Sequence, residues 1–318
     1  MDDFDFREHL VFRSEVIAAG GTDAELRRAV GAGIQERIWR GSYLPATTAQ
    51  TFTEKLERYR AMVIAAARTS GPGRTVSHQS AAALHRVPML TPDFATVHFT
   101  SATTGKKIMH GVIHQAKLAD SAVVGMSGVA LTSRPRSMCD VARNGTLQQG
   151  VCVLDSGLHL GVTMEEIEEE VKRLSRHHGA ARLRHAVSLA SGLSESVGES
   201  LSRLVLADCP SIPPPELQVK IEVEIDGHRK TVRSDYGWRD RQGVLRVVGE
   251  FDGKLKYHRS SPWGDRLPEE VLFTEKVRED AIRATGPRMV RWIWRDAKRP
   301  KVLHAKVIAA LRAGGIID

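Results

Sequence analysis

Between Leu217 and Ile225 every second residue is apolar: Leu217, Val219, Ile221, Val223 and Ile225 alternate with Gln218, Lys220, Glu222 and Glu224. A period of two belongs to a strand with one buried face; wound as a helix, it would scatter its apolar side chains around the axis. Asp226-Gly227 follows at once, a pair suited to the positive φ of a two-residue hairpin turn. His228–Ser234 is therefore expected to return antiparallel, leaving Asp235 at its end. After a short turn, Val244–Gly249 reads as a third strand that delivers Glu250 and Asp252, with Lys254 and Lys256 just beyond. Ahead of the hairpin, Ser194–Cys209 reads as a helix carrying Glu195 and Glu199, joined through the rigid Pro210–Pro215 connector. Behind it, Glu275–Ala284 reads as a helix, Met289–Trp294 as a strand and Lys301–Ala313 as a last helix. Helix, three strands, helix, strand, helix predicts a small α/β domain over residues 191–318.

The acids of this region fall on separate elements: Glu199 on the leading helix, Asp235 on one strand, Glu250 and Asp252 on the next. Convergence from separate elements is what a metal site needs. Hard cations such as Mg²⁺ or Mn²⁺ take carboxylate oxygens, lower the pKa of a bound water and neutralise a phosphate. A lysine beside them can orient that water or stabilise charge on the phosphorus. The parts of a phosphodiester-cleaving site are thus present, with Asp235, Glu250 and Asp252 as metal ligands and Lys254 or Lys256 as the lysine. Lys256 is favoured, because alternate residues of a strand share a face, while a kink at Gly253 would keep Lys254 in play. The same acids and lysines would also suit the solvated face of an exposed hairpin, and spacing alone does not separate the two readings.

The first 46 residues read differently. A helix over Arg7–Ala19 ends at Gly20-Gly21; Thr22 and Glu25 have the spacing of a capping box for a second helix, Asp23–Ala32. Ile34 to Pro45 then reads as a hairpin turning at Arg40-Gly41, with Leu26 and Val30 on one helix face and Ile34, Ile38, Tyr43 and Leu44 directed at the core. Helix, tight turn, helix, hairpin is the layout of a winged helix-turn-helix, whose second helix enters the major groove of duplex DNA. Arg27, Arg28, Arg37 and Arg40 would make the phosphate or base contacts. A helical hairpin capping a larger domain is the other reading. Residues 47–190 form a middle α/β segment: helices over Thr51–Thr69, the stretch before Pro88, Arg136–Gly145, Leu147–Leu160 and Thr163–His177, with strands at Thr96–Thr100, Gly111–Gln115 and Met126–Thr132. His78, His85, His98, His110 and His114 lie here at spacings that match no zinc pattern.

A formal charge of +8 favours a polyanionic partner. Three scattered cysteines, with no paired spacing, suit a reducing compartment. The acidic start MDDFDFREHL has no apolar core, which predicts no signal peptide. No apolar run is long enough to span a bilayer. A cytoplasmic protein without membrane contact is expected. No Gly-rich phosphate loop indicates a nucleotide cofactor.

The C-terminal third resembles the PD-(D/E)XK nuclease superfamily, and within it domains related to very-short-patch repair endonucleases. The matching residues are GES at 198–200, Pro215 with Gln218, SDYGW at 234–238, VVGEFDGKLKY at 247–257, EKVRED at 275–280 and VRWIW at 290–294. The N-terminal part is similar to the winged-helix domain of AbiEi-type antitoxins of type IV toxin–antitoxin systems, through ELRRAVGAG at 25–33 and RIWRGSYLP at 37–45. SHQSAAALHRVP at 77–88 and RPRSMCDVAR at 134–143 are similar to the segment joining such parts. The resemblance implies a restriction-endonuclease-like core with Asp235 and Glu250 as ligands of Mg²⁺ and Glu199 as an accessory acid. It departs at Asp252, which stands where the motif has lysine, so Lys254 or Lys256 would fill that role. Two functions follow as expectations. One is a metal-dependent nuclease acting on DNA in phage defence or repair. The other is a non-enzymatic DNA-binding regulator or antitoxin, with a second copy or a cognate toxin as partner.

Overall fold

Four helices before residue 190 begin where a threonine can cap them. Thr22, Thr51, Thr146 and Thr163 each accept a bond from the backbone N–H three residues on, and Glu25, Glu54, Gln149 and Glu166 reach back to the threonine N–H. Each reciprocal pair satisfies two amides that the helix itself leaves open. The computed structural model describes residues 9–46, 51–253 and 268–318, and contacts group the chain into two units, Met1–Ala190 and Ser191–Asp318.

The first unit opens with β1 (Val11–Phe12), α1 (Arg13–Ala18), α2 (Asp23–Gly31), β2 (Gln35–Trp39) and β3 (Ser42–Pro45). The helix expected from Arg7 starts later, because Val11 and Phe12 pair with Tyr43 and Ser42 and make β1 the third strand of a β1-β3-β2 sheet. β2 and β3 form the expected hairpin, with Gly41 at φ +70° in its turn. Leu26, Ile38 and Leu44 are buried, whereas Ile34 is 66% exposed and Val30 38%. Ile34 lies in the turn after α2, where its side chain has no facing layer.

The same unit continues with α3 (Phe52–Arg68), β4 (Thr75–Val76), α4 (His78–Leu84), β5 (Val97–Ser101), β6 (Lys106–Ile108), β7 (Gly111–Gln115), β8 (Val123–Met126) and β9 (Val129–Thr132). The strands form a six-stranded sheet in the order β6-β7-β5-β4-β9-β8. The single strand expected over 126–132 is a hairpin turning at Ser127-Gly128, both at positive φ. Four helices follow: α5 (Arg134–Asn144), α6 (Leu147–His159), α7 (Met164–Arg173) and α8 (Ala180–Leu189). α3 buries Tyr59 through Ala66, and α6 buries Gly150 through Gly157.

The second unit contains α9 (Val197–Ala207), β10 (Glu216–Ile225), β11 (His228–Arg239), β12 (Leu245–Asp252), α10 (Pro268–Ala284), β13 (Arg288–Ile293), α11 (Trp294–Ala297) and α12 (Pro300–Ala313). The sheet order is β10-β11-β12-β13, antiparallel except for the parallel β12/β13 pair that α10 connects. Asp235 does not end its strand: the buried Tyr236 and Trp238 carry the alternation on to Arg239. Against one face lies α9, where Tyr236 Oη donates to Glu199 O and Trp292 Nε1 to Ser202 Oγ, each at 2.7–2.8 Å. Gly198 is required there, since a Cβ would run into the Phe251 ring. On the other side Ile282 of α10 packs with Val219, Ile221, Val223 and Val248. The chain is therefore of the mixed α/β class. Among the described residues no helix is long and apolar enough to cross a membrane.

Candidate functional site

The strand registers put Gln218, Asp235, Glu250 and Arg291 in one row across the second unit's sheet. Leu217 and Val219 face Tyr236 and Ser234, which sets Gln218 beside Asp235. Tyr236 faces Gly249, which sets Asp235 beside Glu250, and Glu250 faces Arg291 directly. Asp235, Glu250 and Arg291 are neighbours across the sheet, whereas Gln218, in the left-handed region, turns to Glu199 of α9. The acids singled out in the sequence are thus adjacent, and each already has donors. Asp235 Oδ2 accepts the Phe251 amide at 2.7 Å. Glu250 is buried; its Oε1 accepts Arg278 Nη2 at 2.8 Å and its Oε2 lies 3.5 Å from Arg291 Nη2. Asp252 Oδ1 accepts Arg291 Nη2 at 3.0 Å, and its Oδ2 lies 2.9 Å from Arg291 Nε at ion-pair distance. Arg291 Nη1 reaches Glu279 at 2.7 Å, and Glu275 lies 3.6 Å from Arg278 and 3.8 Å from Arg291. Burial works against the Arg291 charge, but Asp252 and Glu250 outweigh it and raise its pKa. Burial likewise opposes the Glu279 charge, and the bonds from Arg283 and Arg291 lower its pKa on balance.

Glu199 takes a different part. As the third residue of α9 it accepts Ser196 Oγ at 2.7 Å and the Glu195 amide at 2.9 Å, so it caps its own helix. It joins the row through Gln218 Nε2, 3.0 Å from Glu199 Oε2. Gln218 holds φ +52°, a conformation a non-glycine residue keeps only where its surroundings over-determine it. Lys254 and Lys256 lie outside the described residues.

A divalent cation needs carboxylate oxygens aimed at one point. Here Glu250 and Asp252 are satisfied by guanidiniums and Asp235 by an amide, and among the described residues no three His, Cys, Asp or Glu are grouped to hold a metal. The donor set in this arrangement does not fit a bound Mg²⁺ or Mn²⁺. Arg278 and Arg291, which occupy these carboxylates, carried no role in the sequence; EKVRED and VRWIW marked their elements only.

In the first unit α2 presents Arg27 and Arg28 to solvent on either side of the turn from buried Leu26, and the β2–β3 hairpin presents Arg37 and Arg40. Among the described residues none of the four has a carboxylate within ion-pair distance. Nearby acids are engaged elsewhere: Asp23 with Arg13 at 2.6 Å, and Glu36 with Arg58 at 2.7 Å.

Three of the five sequence-noted histidines come together. The rings of His78 and His114 stack at 3.7 Å between centroids, with His98 5.3 Å from His114, and His98 Nδ1 lies 3.0 Å from His114 Nε2. Beside them Asp140, wholly buried, accepts Arg136 Nε at 3.0 Å and Arg143 Nε at 2.8 Å; Arg143 Nη2 approaches His78 Nε2 at 3.4 Å. Burial lowers the pKa of all three histidines, His78 well below the usual imidazole range and His98 to about 4. Burial opposes the Asp140 charge too, but its contacts with His78, Arg136 and Arg143 leave its pKa below the usual range. Residues from α4, β5, β7 and α5 meet here, and no sequence spacing signals it.

No protein-family model matches the chain. Two uncharacterized proteins of Mycobacterium tuberculosis, one from strain CDC 1551 and one from strain H37Rv, are each 28% identical over 185 residues, 57% of this chain. The match spans 62% of the length of these relatives. A crystal structure of the RV2827C protein from the same organism covers 67% of this chain and 83% of its own, at 16% identity and a TM-score of 0.37.

Proposed function

We propose that the chain binds duplex DNA through its first 46 residues and acts as a regulator or antitoxin-type protein, without hydrolysing its ligand. The observation that carries this reading is the set of four exposed arginines, Arg27 and Arg28 on α2, Arg37 and Arg40 on the β2–β3 hairpin, none with an acid at ion-pair distance among the described residues. Helix α2 supplies the groove-reading element and the hairpin supplies the backbone clamp. Guanidiniums pair with phosphate in a bidentate fork, and release of counterions makes such binding steeply salt-dependent. Electrophoretic shifts on DNA from upstream of the coding region, without added metal, test it. Arg27→Ala/Arg28→Ala should weaken binding strongly and reduce the salt slope by about 2, one per lost phosphate contact. Equal affinity of wild type and double variant would sink the proposal. A second copy of the chain, or a cognate toxin, is the protein partner this reading implies.

A second reading, phosphodiester hydrolysis in defence or repair, is favoured by one observation: Asp235 and Glu250 lie side by side across β11 and β12. Plasmid and linear DNA incubated with Mg²⁺ or Mn²⁺ decide it. Cleavage by wild type and none by Glu250→Ala supports the nuclease; identical behaviour removes it.

A further inference from the structure

Between the β2–β3 hairpin, the C-terminal end of α3 and the β6–β7 hairpin lies a cavity of about 650 Å³. Its wall carries three guanidiniums, Arg37, Arg40 and Arg74, three aromatic rings, Trp39, Phe99 and His110, and no carboxylate. The volume falls in the range of small-ligand pockets. Trp39 and His110 meet edge to face at 6.5 Å between centroids. Arg37 gives one bond, to Trp39 O at 3.3 Å. The guanidiniums of Arg40 and Arg74, the Trp39 indole N–H and the His110 ring have no hydrogen-bond or ion-pair partner among the described residues. At the C-terminal end of α3, Thr69 Oγ1 donates to Ala65 O at 2.7 Å and Ser70 Oγ to Ala67 O at 2.9 Å, so these carbonyls are already occupied. The cavity thus gathers unspent donors, positive charge and flat apolar surface, with no acid to receive them.

We infer that this cavity binds a nucleotide: a phosphate on Arg40 and Arg74 and a base against Trp39. Guanidiniums suit phosphate oxygens, and an indole stacks on any base. A positively charged peptide is disfavoured by the same three arginines, and an aliphatic ligand would leave them desolvated without acceptors. The nucleotide has two sources, a free mononucleotide or an unpaired residue of bound DNA. The inference shares Arg37 and Arg40 with the DNA-binding reading, but Arg74 lies outside it, so the two can fail separately.

The test is calorimetric titration of the full chain with adenosine 5′-monophosphate, inorganic phosphate and adenosine in turn. The monophosphate should bind, and each part alone should bind at least roughly tenfold more weakly. Arg74→Ala and Trp39→Leu, each checked for an unchanged thermal melt, should weaken the monophosphate roughly tenfold. A monophosphate that binds no better than phosphate, or variants that bind as wild type does, would overturn the inference. A second arm compares blunt duplex DNA with the same duplex carrying an unpaired adenine. Tighter binding of the unpaired form, lost in Arg74→Ala while blunt-duplex affinity stays, assigns the site to a DNA nucleotide. Equal binding of both duplexes, with the monophosphate response intact, assigns it to a free one.

Discussion

In the first unit Asp140 lies between Arg136 and Arg143 with the carboxylate wholly buried and the arginines 4% and 9% exposed. In the second, Glu250 and Asp252 lie between Arg278 and Arg291, with the arginines 25% and 27% exposed. The parts are alike and the surroundings are not. Asp140 and Glu170 balance Arg136 and Arg143 deep among helices, with Arg173 reaching Glu170 from the surface and paired there with Glu169; an uncompensated charge at that depth is very costly. Around Glu250, four carboxylates with Glu275 and Glu279 included share Arg278 and Arg291, joined by Arg283 at Glu279. That excess of acid is tolerable only because water reaches it. Balance with full burial marks a network that fixes structure; imbalance with partial exposure marks one that can rearrange around an incoming cation or ligand.

The sharpest way to break this contrast is Asp140→Ala. It removes the carboxylate that Arg136 and Arg143 share, leaving Arg143 with no acid among the described residues and Arg136 with only Glu170 at 3.7 Å, and should cost about 3–5 kcal/mol, read by urea unfolding of the full chain. A cost below about 1 kcal/mol would mean the network is not desolvated as described. Acid should weaken the same unit next. His98 titrates near 4 in the fold and near 6.5 when unfolded, so the unfolded chain takes up its proton first as pH falls. Stability present above pH 6.5 should decline down to about pH 4, by on the order of 3 kcal/mol from His98. His78 and His114 shift the same way. Melting temperature measured across that window checks it, and His98→Asn should flatten the slope. In the second unit Arg291→Met should cost only about 1–2 kcal/mol, because buried Glu250 keeps Arg278 and the other acids keep access to water; a loss as large as that of Asp140→Ala would erase the distinction. The smallest effect is expected from Glu279→Gln, about 0.5 kcal/mol or less, since Arg283 and Arg291 keep an amide oxygen and, for Arg291, Asp252.

The two networks were unequally legible. Strand alternation from Leu217 gave β10, Asp226-Gly227 gave the hairpin, and the Thr22–Glu25 spacing gave the start of α2, because these signals are local. Adjacency of Asp235 and Glu250 was readable from strands joined by short turns, where register follows from the turn. The arginines were not: Arg291 reaches Asp252 from 39 residues away by a parallel crossover, and pairing at that range leaves no periodic trace. His98 and His114 meet because β5 and β7 pair in parallel, and His78 joins them from α4. β1 was hidden by its brevity, two residues whose apolar character also suits a helix start. α8 was missed for lack of a capping threonine; its N-cap is Gly179, whose left-handed φ of +81° is needed against the Arg143 carbonyl.

The parallel β12/β13 pair sets an order of events as the polypeptide leaves the ribosome. β10, β11 and β12 are joined by turns and can zip together early, whereas β13 must wait for α10 to emerge and cross over. Non-local pairings of this kind form late and slowly. Until then β12 is an open edge, with Glu250 and Asp252 lacking the arginine that faces them. Their charge keeps that edge from recruiting other chains. Arg278 on α10 arrives first and Arg291 second, so the step that completes the sheet is the same step that neutralises its carboxylates.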